Sequence, residues 1–122
     1  MNNEEKRADL QGLAKKAVNI LIVVVILGAI ILRICGYKII YIATNSMEPT
    51  LATNQFVIGK RAGPEDVEIG DIVTYKCMGG FYTVTHRIID IQDDYLIFRG
   101  DNNQFADEPV KKDRVAYKII FY

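Results

Sequence analysis

The sequence predicts a mainly β protein carried on one N-terminal transmembrane helix. Three observations predict it: an apolar run of membrane length near the N-terminus, six later runs rich in Ile, Val, Tyr and Phe, and turn residues separating those runs. The part beyond the helix is expected to be a small antiparallel β barrel or sandwich with Greek-key-like connections. No internal repeat and no low-complexity linker divides it.

At 122 residues the chain is sized for one domain. Residues 1–16 are polar and mixed in charge, with Glu4, Glu5, Lys6, Arg7, Asp9, Lys15 and Lys16. Over residues 17–32 the one polar side chain is Asn19, and the run continues past Arg33 to Cys35. A helix over residues 17–34 rises about 27 Å, close to the roughly 30 Å hydrocarbon core of a bilayer. Residues 17–35 are therefore read as a membrane span. Lys15 and Lys16 favour a cytoplasmic N-terminus, Arg33 can snorkel to the far headgroups, and residues 36–122 then face outward.

Three rival readings of the run fit less well. A buried core helix would show a polar face, and apolar residues encircle this one. A cleaved leader would end in a small-x-small site, whereas the run ends Leu32-Arg33-Ile34-Cys35-Gly36-Tyr37. Bulky Arg33 and Ile34 argue against lipid modification of Cys35.

Beyond the span, strands are expected over residues 38–43, 55–61, 71–76, 81–92, 95–100 and 115–122. Gly79-Gly80 and Asp93-Asp94 suit hairpin turns, and residues 64–68 suit one helical turn opened by Pro64. Roughly 85 residues remain for this domain, enough for a modest core.

Composition excludes several functions. The 15 basic and 15 acidic residues balance, so nothing in bulk charge points to nucleic acid. A single histidine leaves no Cys/His cluster with metal-ligand spacing, and no metal or cofactor is expected. Cys35 ends the apolar run and Cys77 falls in an expected hairpin, so the two make no disulfide framework.

The stretch around which the rest is arranged is Thr44-Asn45-Ser46-Met47-Glu48-Pro49-Thr50. Taken alone, Ser46 reads as a turn or cap residue beside a proline. A catalytic serine needs a base within hydrogen-bond reach, a group orienting that base, and donors for the oxyanion. His86 is the one imidazole available, in Thr83-Val84-Thr85-His86-Arg87-Ile88-Ile89, where alternation puts it on the face of Val84 and Ile88. A lone strand histidine is commonly structural, yet imidazole is also the natural base at neutral pH. Arg99-Gly100-Asp101-Asn102-Asn103-Gln104-Phe105-Ala106-Asp107 reads locally as a polar turn.

Ser46-Met47-Glu48-Pro49 resembles the nucleophile box of type I signal peptidases, membrane-bound serine endopeptidases that remove signal peptides from exported proteins. Thr85-His86-Arg87 resembles the box of the endoplasmic-reticulum-like and archaeal branch, in which histidine replaces the lysine base. Gly100-Asp101-Asn102-Asn103 with Asp107 resembles that branch's last box, and Ile69-Gly70-Asp71-Ile72-Val73 resembles a further box read here as scaffold. The boxes occur in the family's order and span most of residues 17–122. The resemblance implies the signal peptidase β fold, Ser46 as nucleophile and His86 as general base. It further implies Asp107 orienting His86, with Asp101 supporting the site and standing as the alternative orienter. Thr44 stands where the family often has serine, whose hydroxyl joins the N–H of the nucleophile, here Ser46, in binding the oxyanion. Thr44-Asn45 departs from the usual Ser-Gly, although Asn tolerates left-handed backbone angles.

The resemblance implies signal peptides of exported pre-proteins as substrates, held extended along a strand edge near Ser46, with the bilayer and the secretion translocon as further partners. An apolar surface around Met47 and Leu51 is expected to supply shallow pockets and to meet the headgroups. The rival is an anchored β domain that binds without cutting. The chain stops at Ile119-Ile120-Phe121-Tyr122, directly after its last expected strand, without the second membrane helix of some relatives or the accessory domain of lysine-type enzymes, which leaves a minimal and a truncated chain both open.

Overall fold

The computed structural model describes residues 1–122, which divide into two units, Met1–Cys35 and Gly36–Tyr122. The first unit is a single helix, α1 (Asn3–Ile34). It starts well before the apolar run because Asn2 caps it. The Asn2 side chain accepts from the N–H groups of Glu4 and Glu5, and the Glu5 carboxylate accepts from Asn2 N–H at 2.9 Å. That reciprocal pair satisfies donors that a free helix end leaves unbonded. None of the helix is buried within the unit, and its apolar stretch is long enough to cross a membrane.

The second unit is one curled antiparallel sheet of seven strands, the mainly β architecture that the sequence predicts. The strands are β1 (Tyr37–Ile42), β2 (Gln55–Arg61), β3 (Ile72–Lys76), β4 (Thr83–Ile91), β5 (Tyr95–Arg99), β6 (Val110–Lys111) and β7 (Val115–Phe121). Their order across the sheet is β1-β2-β7-β3-β4-β5-β6, so β7 lies between two strands made much earlier, and β1 and β6 form the edges. Short turns link β3 to β4 and β4 to β5, whereas long loops follow β1, β2 and β5. Gly79 and Gly80 both have positive φ in the β3–β4 hairpin, which glycine adopts without steric cost, and Gln92 N–H bonds Tyr95 O across the β4–β5 turn. Pro64–Asp66 forms a short 3-10 turn.

Two apolar clusters hold the sheet. One gathers Val73, Tyr75, Ile88, Leu96, Phe98 and Val110 from β3 to β6. The other joins Ile42, Met47, Leu51, Val57, Ile72 and Ile119, and so packs the loop after β1 beneath β2, β3 and β7. Asp71, in the turn entering β3, pairs with Lys118 of β7 at 2.8 Å and accepts from Glu68 N–H, a structural use of that carboxylate.

Candidate active site

The loop leaving β1 winds through a turn in which Glu48 N–H bonds Asn45 O and Leu51 N–H bonds Met47 O. The second is an i to i+4 bond, so Met47 and Leu51 stand on one face of the turn. That face points into the core. Met47 is 1% exposed and Leu51 is fully buried, which corrects the expectation that they form an apolar surface with substrate pockets. Their burial fixes the turn and leaves the half-buried Ser46 before it facing the cleft. Glu48 closes the loop by accepting from Thr53 Oγ1 at 2.8 Å.

His86 is on β4, paired across the ladder with Val73 and 7% exposed. Its Nε2 lies 3.1 Å from Ser46 Oγ, and its Nδ1 lies 2.5 Å from Asp107 Oδ2. An Nδ1–H donating to Asp107 leaves the Nε2 lone pair to accept from the serine hydroxyl, the tautomer that a base for serine requires. The Asp107 backbone is anchored by its N–H on Phe98 O, which sets the carboxylate behind the ring. Thr44 Oγ1 is 3.1 Å from Ser46 Oγ.

Asp101 lies elsewhere. Arg87 follows His86 and points to the other face of β4, where its Nε and Nη2 donate to the two Asp101 oxygens at 2.8 and 2.6 Å. Thr50 Oγ1 also donates to Asp101, and Arg87 Nη1 donates to Gly70 O. The Arg87 bond, supported by Thr50, holds the Asp101 carboxyl below the usual carboxylate range, and Asp101 in turn raises the Arg87 guanidinium. Asp101 thus braces the Ser46 loop against β4, while Asp107 is the carboxylate at the imidazole.

The loop after β5 is fastened to the serine backbone twice more. Asn102 N–H donates to Ser46 O at 2.9 Å and Asn102 Nδ2 to Asn45 O at 3.1 Å. An open cleft of about 500 Å³ runs past Ser46 and His86, with residues 40–44 on one side and 82–86 on the other. Both sides offer free backbone. β1 is a sheet edge, and β4 pairs with β5 from Arg87 onward, leaving residues 83–86 unpaired on that side.

One contact has little trace in the sequence. Tyr75 of β3 donates its hydroxyl to the same Asp107 oxygen at 2.8 Å. Only its alternation with Val73, the residue opposite His86, puts it on the right face, and nothing in the sequence connects it to Asp107.

The sequence model of the family described as signal peptidase, peptidase S26 matches residues 14–116. The chain is similar to signal peptidase I W of Bacillus subtilis (strain 168), at 36% identity over 86 residues. The match covers 66% of this chain and 45% of that protein, so the chain spans about half the length of the curated relative it matches.

Proposed function

Given that the chain belongs to the peptidase S26 signal peptidase family, we propose that it is a membrane-anchored serine endopeptidase that cleaves signal peptides from exported pre-proteins. The observation that carries the reading is the line Ser46 Oγ, His86, Asp107, joined at 3.1 and 2.5 Å. His86 Nε2 takes the hydroxyl proton as Ser46 attacks the scissile carbonyl, and Asp107 stabilises the imidazolium that forms. The tetrahedral oxyanion is bound by the Ser46 N–H and the Thr44 hydroxyl. His86 then gives its proton to the leaving amine, and water delivered through the same base frees the acyl-enzyme.

The substrate lies extended in the cleft, its backbone bonding to the free edges of β1 and of residues 83–86. Helix α1 is the anchor, and Lys15 and Lys16 at one end of its apolar stretch set the N-terminus in the cytoplasm with residues 36–122 outside. The bilayer is thus a partner, and the secretion translocon presents the substrate.

Co-expression with candidate pre-proteins tests the reading. Wild type is expected to release mature forms and Ser46→Ala to accumulate precursors while remaining inserted. Processing by Ser46→Ala at the wild-type rate would overturn it.

A further inference from the structure

Asp107 is held from two sides at one atom. Its Oδ2 accepts from His86 Nδ1 at 2.5 Å and from the Tyr75 hydroxyl at 2.8 Å. The two donors differ in kind. The imidazole changes charge during a proton relay, so its grip on the carboxylate weakens when it is neutral. The phenol does not change: burial, with Asp107 as acceptor, pushes it far above the ordinary tyrosine range, so it donates at every working pH. Its ring is also packed, 5% exposed and stacked on Phe98 at 4.4 Å between centroids. Asp107 by contrast sits in a loop with its side chain 20% exposed, free to turn toward water if nothing else holds it.

We infer that Tyr75 is a positioning residue, whose hydroxyl pins the Asp107 carboxylate against His86 Nδ1 while the imidazole is neutral. The inference rests on the Ser46, His86, Asp107 reading above. The remaining ionisable groups around this cluster have other roles. Arg87 and Asp101 bond each other on the opposite face of β4, and Cys77 and Tyr82 of the β3–β4 hairpin act on the phenol in the same direction as Asp107. Tyr75 does not line the cleft, so it acts through Asp107 and not on the substrate.

Because His86 is the single histidine, histidine-labelled full chain in micelles gives one imidazole spin system whose midpoint and tautomer are read without substrate. In wild type the Nδ1–H tautomer should dominate. Tyr75→Phe keeps the ring and its stacking, and is expected to mix the tautomers and lower the imidazole midpoint in the direction of Asp107→Asn, by a smaller shift. Its kcat should fall about tenfold with KM unchanged, the worth of one net hydrogen bond. An unchanged midpoint and tautomer would overturn the inference, and so would a raised midpoint, which would mean that the hydroxyl acts by drawing charge off the carboxylate. If Tyr75→Phe does not fold, wild type still answers: a low-field, exchange-protected Tyr75 hydroxyl proton should be present and should vanish in Asp107→Ala, and its absence from wild type would overturn the inference. A chain that shows these signals yet cuts no precursor would refute the proposed activity and leave the pinning intact.

Discussion

The backbone of Gly100 passes so close to Ser46 that a Cβ on residue 100 would stand 2.5 Å from the Ser46 carbonyl oxygen. Gly100 is not among the glycines with positive φ, so the requirement is for space. Gly100→Ala must push the Ser46 loop from the loop that carries Asp107. Precursor processing should drop about 100-fold, since an ångström of misplacement costs that much, with about 1–3 kcal/mol of stability lost to overpacking. Near-normal processing by a folded Gly100→Ala chain would show that the two loops need not touch.

Ser46 and His86 should behave as one unit. Removing a general base costs about 10²–10⁴-fold, and once either residue is gone the other has nothing to act on. His86→Ala and Ser46→Ala should each be severe, and the double variant should be no worse than the poorer single. A double variant whose loss equals the product of the singles would separate their roles. Processing rates with insertion checked for each chain decide it.

The Arg87–Asp101 pair makes a pH prediction of definite sign. The Asp101 carboxyl is lower in the folded chain than in the unfolded one, so its stabilisation is present above the unfolded value and is lost as pH falls through the folded value. Thermal unfolding should therefore show Asp101→Asn less stable than wild type at pH 7, with the gap closing progressively below about pH 4. A gap that persists at pH 2 would assign it to packing.

Leu51 separates core from pocket. If it supports the Ser46 turn from below, Leu51→Ala should cost about 2–5 kcal/mol in denaturant unfolding. A stable Leu51→Ala chain that processes precursors with altered side-chain preference would instead put Leu51 in contact with substrate.

Most strands were legible because β-branched and aromatic runs punctuated by glycine and aspartate pairs leave few other readings. The two-residue β6 was not, being too short to show alternation. The burial of Met47 and Leu51 is not evident in the sequence because the stretch around Pro49 reads as an exposed polar turn. Their four-residue spacing was the available signal. In the sequence Tyr75 looks like any strand aromatic, since its partner Asp107 lies 32 residues away and only the folded sheet brings them together. The choice between Asp107 and Asp101 was likewise beyond sequence. Both belong to one loop, and which of them meets the imidazole depends on Arg87 taking Asp101 from the opposite face of β4.

The central place of β7 bears on when the molecule can work. The β1–β2 hairpin carries the Ser46 loop, and the β3–β4–β5 meander carries His86 with the Asp107 loop behind it. β7, last of the seven to be synthesised, is the strand whose hydrogen bonds join those halves. Until β7 has been made, Ser46 and His86 therefore ride on separate pieces without a shared ladder. On the proposed mechanism, Ser46 gains His86 as its base only when β7 has completed the sheet.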